Sequence, residues 1–388
     1  MGAGLTDPRP SLLAKVALGS GVGLAALALA FWGVPVAAVV DAIASMDPQG
    51  LVLPAMVFLV QQTLRAWRQA IILQARFPEH RFRSSLSVLC IGFFFVNTLP
   101  ARIGEVVRPM LLAEREDIPL GAGFAMVVVE RAFDLVAMGV MVSVLAWLVP
   151  IPPVVGELMP GLDLVSFARS LVGAGVPGVV LALLALMFAG DRILALVTRL
   201  SQRWTTGTPG RLRSRVLAFA TQFVAGIAGV RSAPRLASLL ALTATAWALT
   251  GLMYPPIAAA FGVGEYIDYS AGIGILGITM VGMALPAAPG FAGTYEAAVR
   301  GALALYGVAG QATVLPGGPS LDAIAVAFAL VAHWWVHVVQ SCTAIWFLVV
   351  DQVDPRAIFR RVLRPHPAPA DPDPADPAPA NDAREEQP

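Results

Sequence analysis

Six apolar stretches, at about Leu12–Val34, Leu51–Gln74, Pro119–Val149, Leu171–Ala189, Leu236–Phe261 and Leu321–Val350, limit this chain more than anything else in it. A helix rises about 1.5 Å per residue, so each stretch is long enough to cross a hydrocarbon core about 30 Å thick. Inside hydrocarbon every backbone N–H and C=O must find a partner within the spanning structure, and long uninterrupted apolar runs meet that demand as helices. The chain is 57% hydrophobic and 13% charged, whereas ordinary soluble domains carry about 25% charged residues. It reads as an all-α polytopic membrane protein.

Two further apolar stretches are too short to span. Ser85–Thr98 is followed by the charged sequence Asn97-Thr98-Leu99-Pro100-Ala101-Arg102-Ile103-Gly104-Glu105-Val106-Val107-Arg108 and then by a second short segment, Ile103–Ala113. The pattern returns as Ser270–Leu285, a break at Pro286-Ala287-Ala288-Pro289-Gly290-Phe291-Ala292-Gly293, and Thr294–Tyr306. Both read as broken or re-entrant helical hairpins, giving about six full transmembrane helices plus two hairpins. Pro100, Gly104, Pro286, Pro289, Gly290 and Gly293 are the candidate hinge positions. The competing reading is that Pro and Gly merely kink two ordinary spans, which membrane helices tolerate.

Charge placement tests the assignment, because cytoplasmic loops carry the Arg and Lys excess. Arg76, Arg81 and Arg83 follow the second span, with Arg65 and Arg68 just inside its end. Arg192, Arg199, Arg203, Arg211, Arg213, Arg215, Arg231 and Arg235 follow the fourth, and Arg356, Arg360, Arg361 and Arg364 follow the last. The opposite loops are nearly bare: the stretches 35–50, 262–269 and 308–320 hold no basic residue, and 150–170 holds only Arg169. If both broken segments return to the side they entered, every Arg-rich loop and both termini are cytoplasmic. The hairpins then enter from opposite faces, in inverted pseudo-symmetric halves. Opposed broken elements are the sequence pattern of inverted-repeat transporters, which bind substrate where the breaks meet.

The expected organisation is a cytoplasmic N-terminus (1–11), a transmembrane domain (12–352) and a disordered cytoplasmic tail rich in Pro, Ala and Asp (365–388). Within the domain, an Arg-rich amphipathic segment at about 199–235 suits either the headgroup interface or a solvated connection. The first apolar run is long for a signal peptide, so cleavage is not expected. Cys90 and Cys342 both lie in apolar segments, which indicates neither a disulfide framework nor a thiolate metal site. The net charge of +1 gives no reason to expect a nucleic-acid partner, and no nucleotide-binding loop or nucleophile elbow is present. No cofactor is expected.

Charged side chains within hydrocarbon cost at least about 2.5–3.5 kcal/mol each, so those in the breaks require a reason. Arg102, Glu105 and Arg108 recur at i, i+3 and i+6, where Glu105 can bridge to either arginine. Pro100 suits the first turn of a restarting helix, whose free N–H groups together with guanidinium forks would bind a phosphate or another anion. The third span adds Glu130, Arg131 and Asp134 at a depth of about 16 Å. Glu130 and Asp134 share a face and so need a cation or a shared proton nearby. The second break adds Glu296 and Arg300 at i, i+4, after Gly293-Thr294 as a helix cap. Two readings fit these residues: a functional anion site, or a closed set of salt bridges in which three arginines balance three acids and Arg300 balances Glu296. His333 and His337, at i, i+4 in the last span, suit interhelical hydrogen bonding or a proton relay better than a metal, since no acid accompanies them in that helix.

Several motifs together resemble the lysylphosphatidylglycerol synthase transmembrane-region family over roughly residues 12–350. They are Arg65-Ala66-Trp67-Arg68, Asn97-x-x-Pro100-x-Arg102-x-Gly104-Glu105-x-x-Arg108, Glu130-Arg131-x-x-Asp134, and Pro286-x-x-Pro289-Gly290-x-x-Gly293-x-x-Glu296. The resemblance implies a flippase-like membrane domain of bacteria and archaea. In two-domain members this region moves aminoacylated phospholipid between leaflets while a soluble domain makes it. No such soluble domain is legible here, so the resemblance implies the lipid-handling half without enzymatic activity. The expected substrate-binding set is Asn97, Arg102, Glu105, Arg108, Glu130, Arg131, Asp134 and Glu296, with no catalytic residue. The expected function is movement or binding of a phospholipid or lipid-linked anion across the bacterial cytoplasmic (inner) membrane. The partners would be membrane lipids and a separate cytoplasmic lipid-modifying enzyme. The alternatives are a non-transporting lipid-binding scaffold for such an enzyme and an intramembrane enzyme acting on a lipid-linked substrate.

Overall fold

The computed structural model describes residues 12–99, 104–148, 171–203, 210–283, 288–309 and 319–363. Pro100, Arg102 and Pro286 lie outside the described residues, as do the terminal stretches 1–11 and 365–388. Residues 1–353 form one unit and 354–388 a second. In the second unit the described helix is Pro355–Leu363.

The first unit is helical throughout its described residues. Helix α1 (Leu12–Ala30) leads to a short α2 (Val36–Ser45) and then α3 (Val52–Gln74). The first hairpin is α4 (Phe82–Thr98) and α5 (Val107–Glu116). Long helices α6 (Leu120–Leu148) and α7 (Val176–Arg203) follow, then α8 (Gly210–Ala228), α9 (Ala233–Gly251) and α10 (Tyr254–Ala260). The second hairpin is α11 (Tyr269–Gly282) and α12 (Thr294–Leu305), and α13 (Leu321–Val350) closes the unit. By length and composition, Gly173–Leu196, Ala233–Ala260 and Leu321–Val350 can each cross a membrane, and α2 with α3 forms a fourth candidate bent by 89°.

The bend is a departure from the expected bare loop at 35–50. Val36, Val39, Val40 and Ile43 recur at helical spacing, and Val39 and Ala42 are buried against α13. Asp47 then accepts a hydrogen bond from the Gln49 N–H (3.0 Å) and turns the chain into α3.

Both hairpins return to the end they start from. At the base of the first, the His80 imidazole and the Ser84 hydroxyl, at the start of α4, both contact the Glu116 carboxylate at the end of α5. Arg83 of α4 (2.7 Å) and Arg115 of α5 (2.9 Å) converge on Asp351, just past α13. A β-carbon on Gly104 would overlap the backbone of Phe95 and Val96, so only glycine lets the two limbs approach this closely. In the second hairpin, Gly274 of α11 packs on Tyr306 after α12, and Gly282 packs on Ala298. This hairpin starts beside Gly251, the end of α9, while α9 runs antiparallel to α3 with Thr243 opposite Arg68 and Thr250 opposite Gln61. The starts of α4 and α11 therefore lie at opposite ends of the bundle. Their tips meet where Gly290, at φ +67°, faces the Asn97 carbonyl and the His337 ring.

The largest hydrophobic cluster binds the second hairpin to α2, α10 and α13 through residues such as Val39, Ile257, Ile275, Leu303 and Phe328. The Arg-rich amphipathic segment forms α8, which packs on α6 and α7: Phe219 sits 5.7 Å from Phe124, and Val224 fills the space beside Gly190. It is neither solvated all round nor detached from the bundle.

Candidate functional site

The intramembrane charges collect between α3, the first hairpin, α6 and α9. On α3, the helical repeat puts Arg65, Arg68 and Gln69 on one face. On α6, Glu130 and Asp134 stack one turn apart with Arg131 beside them. Arg108 enters from the second residue of α5, Glu105 from the turn before it, and Thr243 and Trp247 from successive turns of α9.

Each of the two stacked acids takes its own arginine. Arg108 is the largest fully buried side chain among the described residues. Its Nη2 lies 2.7 Å from Glu130 Oε2 and also donates to the Gln69 carbonyl oxygen and toward Met126 Sδ (3.4 Å). Gly92 supplies the room, since a β-carbon there would overlap the Arg108 stem. Asp134 is held bidentately by Arg68 at 2.7 and 3.3 Å, and Arg68 also donates to the Thr243 hydroxyl at 2.9 Å. The Trp247 indole N–H completes the shell of Asp134 at 3.3 Å. The cation that Glu130 and Asp134 require therefore comes from α5 and α3. Desolvating an ion costs several kcal/mol, so pairing alone does not make such a site favourable without these additional hydrogen bonds.

The remaining charges are less enclosed. Arg131, with 35% of its side chain exposed, bridges Glu105 at 3.4 Å and Asp134 at 3.5 Å. Glu105 thus pairs across to α6 and not with Arg108. Arg65 makes no direct ion pair among the described residues and faces the rings of Phe93 (5.6 Å) and Trp247 (5.8 Å). Phe93 is the common floor: the guanidinium groups of Arg108 and Arg131 lie 5.6 and 5.8 Å from the same ring. Aromatic faces attract cations in this range. With Arg68 counted, four guanidinium groups face three acids among the described residues.

Glu296 stands apart from this network. Its Oε2 accepts from the Gly293 N–H at 2.7 Å, capping α12 from within, and its Oε1 lies 2.7 Å from His333 Nδ1. The expected Glu296–Arg300 pair does not form. Arg300 pairs with Asp322 (3.3 Å) and donates to the carbonyls of Ala30 (2.7 Å) and Trp32 (3.1 Å), because the turn after α1 presents unpaired acceptors at that end. Asn97, half-buried at the end of α4, offers its carbonyl to the opposing hairpin tip. Among the hinge candidates, Gly290 and Gly293 both adopt positive φ, at +67° and +89°. Pro289 opens the one-turn helix between them.

Sequence spacing missed four contributors: Arg65, Arg68, Gln69 and Phe93. The arginines were visible near the end of the second span, but only the pairing of α3 with α6 brings them to Asp134. The partner of Glu296 was missed for the same reason, since His333 lies 37 residues away.

Against this geometry, the family model described as lysylphosphatidylglycerol synthase TM region matches residues 13–315. The chain belongs to that family. A second likeness is partial: 133 residues are 32% identical to the protein named glycosyltransferase AglD of Haloferax volcanii. That match covers 33% of this chain and 21% of the relative's length. As a member of the lysylphosphatidylglycerol synthase TM region family, the chain is a multi-pass helical membrane protein, and the family's description ties its function to membrane lipid.

Proposed function

We propose that this family member is a flippase-like translocase that carries a phospholipid or lipid-linked anion across a bacterial cytoplasmic membrane. In this reading α1, α3, α6, α7, the α9–α10 pair and α13 traverse the bilayer. The two hairpins dip in from opposite faces as inverted halves, and both termini are cytoplasmic. The single observation that carries the reading is the charge surplus of the network. Arg65, Arg68, Arg108 and Arg131 face Glu105, Glu130 and Asp134, four cations against three anions among the described residues.

Open valences in the network support the reading: Arg108 Nε and Nη1, Arg68 Nε and Arg131 Nε are buried with no hydrogen-bond partner among the described residues, as are the acceptors Glu105 Oε2 and Glu130 Oε1. A phosphate-bearing headgroup would satisfy these donors through charge-assisted hydrogen bonds, which are about twice as strong as neutral ones. A closed structural salt-bridge set would leave no such donors over. The acids would then hold the arginines in place and meet an amine if the headgroup carries one.

Proteoliposomes of the purified protein with headgroup-labelled lipids test the reading. Wild-type protein should move label between leaflets, and Arg131→Gln and Arg65→Gln, which leave the fully buried pairs intact, should slow it at least about tenfold. Folded variants that move lipid at the wild-type rate would sink the assignment. A second reading is a non-transporting membrane partner of a lipid-modifying enzyme. It is favoured by the partial likeness, since the matched 133 residues are only 21% of a longer protein named for glycosyl transfer. It predicts lipid retention during purification without movement in vesicles.

A further inference from the structure

Glu296 and His333 are both buried, with 1% and 3% of their side chains exposed, and the hydrogen-bond pattern fixes how many protons they hold. His333 Nε2 lies 2.9 Å from the Gly290 carbonyl oxygen. A carbonyl can only accept, so Nε2 carries a hydrogen. The Nδ1 to Oε1 contact at 2.7 Å then needs one more proton, on either atom. Without it, two lone pairs would face each other. The geometry therefore belongs to the proton-loaded pair, neutral in total, and unloading it would leave one negative charge.

Among the described residues no charged group compensates that charge. Tyr295 of α12 stacks on the His333 ring at 4.2 Å, Tyr254 of α10 reaches the Tyr295 hydroxyl at 3.4 Å, and His337 of α13 lies edge-on at 4.6 Å. Among the described side chains, α1, α2, α3, α4 and α11 bring no charged group to the pair. Arg65 and Arg68 of α3 belong to the arginine network, Arg83 of α4 to the hairpin base, and Asp41 of α2 is exposed. His337 presents an open nitrogen. Its Nδ1 donates to the His333 carbonyl at 3.0 Å, which leaves Nε2 bare, buried and without a partner among the described residues. The same His337 ring and the Asn97 carbonyl both face Gly290, so the pair's carbonyl partner is also the point where the hairpin tips touch.

We propose that Glu296 and His333 form a proton-binding site, with His337 as the next acceptor, that couples proton movement to separation of the two hairpin tips during lipid transport. This rests on the translocase reading. While loaded, the pair ties Gly290 to α13 and holds the tips together. Loss of the proton removes the Nδ1 to Oε1 bond and leaves an unpaired carboxylate that is stable only once the tip opens to water or to a cationic group. The proton passes to His337 Nε2 and on toward the opened face, and re-enters when the tips close. Charge is conserved at each step, since the pair loses and regains one proton per cycle.

Two measurements test this separately. In full-length protein labelled with 15N-histidine in nanodiscs, His333 is assigned by the signal missing in His333→Gln. The expected result is an Nδ1 that loses its proton as pH rises in wild type and shows no such step in Glu296→Gln. That variant keeps the Gly293 bond and donates its own N–H to Nδ1. A His333 that titrates identically in Glu296→Gln, or never titrates while the protein stays folded, overturns the proton site. In proteoliposomes with labelled lipid, an imposed pH gradient should bias the direction of wild-type transport and reverse the bias when inverted, whereas Glu296→Gln should show none. Lipid movement indifferent to the gradient in wild type overturns the coupling and leaves the translocase standing. No movement of lipid under any gradient overturns the translocase reading, and the coupling with it.

Discussion

The two hairpins are built alike and charged differently. Each has antiparallel limbs held at glycine contacts, a tip that reaches the other tip at Gly290 and Asn97, and one buried side chain, Arg108 or Glu296, paired across to a long helix. In the first, the carboxylate is Glu130 of α6 and its partner Arg108 is a guanidinium that stays charged at any working pH. In the second, the carboxylate is Glu296 and its partner is the His333 imidazole, which unlike a guanidinium also has a neutral form. A permanent cation holds an anionic group regardless of conditions, while an imidazole can register a proton. One half suits substrate, the other a coupling ion.

The largest effect expected from breaking this contrast is at Arg108. Arg108→Ala strands the Glu130 carboxylate in a fully buried position, and removing one partner of such a pair costs about 3–5 kcal/mol. Thermal unfolding in detergent should show it directly. Combining Arg108→Met with Glu130→Leu should recover most of that stability, since no charge is left unpaired, yet leave lipid movement abolished. A double variant as unstable as Arg108→Ala would mean that packing, not charge, sets the cost.

That cost explains what was readable in the sequence. Expensive intramembrane charges at Glu105, Arg108, Glu130, Arg131 and Asp134 stand out in apolar runs, as do the Pro and Gly breaks, and so the helical membrane class was legible. Partner choice was not. Spacing along one helix suggested Arg108 with Glu105 and Arg300 with Glu296, because i, i+3 and i+4 neighbours are the only contacts a single helix reveals. Arg68 with Asp134, 66 residues apart, and His333 with Glu296 follow from how helices pack, which one sequence does not encode locally. The helix α2 was hidden for a different reason: its stretch was judged by its missing charges, although Val39 and Ala42 mark a buried face.

The next effect concerns the second hairpin's tip. Gly293 sits at φ +89° with the Gly23 carbonyl of α1 against the place a β-carbon would occupy. Gly293→Ala therefore meets both backbone strain and overlap, and should cost about 1–3 kcal/mol. Gly301, about two turns further along in α12, has open space around it, and Gly301→Ala should stabilise by up to about 1 kcal/mol. Unfolding midpoints that move the same way in both variants would refute the close approach of α1 to this tip.

Smaller still is Glu296→Gln. A carboxamide keeps the acceptor for the Gly293 N–H and offers a donor to His333 Nδ1. The predicted change in stability is below about 1 kcal/mol, within the range of a single retained hydrogen bond. Glu130→Gln, the same chemical change, removes the carboxylate that pairs with Arg108 among the described residues and should cost about 2–5 kcal/mol. Equal losses in the two variants would erase the distinction between a proton site and a permanent ion pair.

The bases of the hairpins carry the contrast to its smallest term. The first hairpin is tied to α13 through Asp351, which accepts from the Ser87 hydroxyl and pairs with Arg115 and Arg83. Burial pushes the Asp351 carboxyl up, and the Ser87 hydroxyl with Arg115 and Arg83 more than reverses it, leaving the group below its ordinary value. A carboxyl lowered in the folded state contributes stability above its unfolded value, about 3.9, and that contribution disappears as pH falls through the native value. At the second hairpin, Arg300 pairs with Asp322 and donates to backbone carbonyls that do not titrate, while the Asp268 side chain caps α11. Melting temperature followed from about pH 7 down to about pH 3 should therefore fall more in wild type than in Asp351→Asn. Because Arg83 is mostly exposed, Arg83→Ala alone should cost no more than about 1 kcal/mol. If the acid slopes of wild type and Asp351→Asn coincide, the clamp at the base of the first hairpin is held by helix packing, and its ionic cluster is incidental.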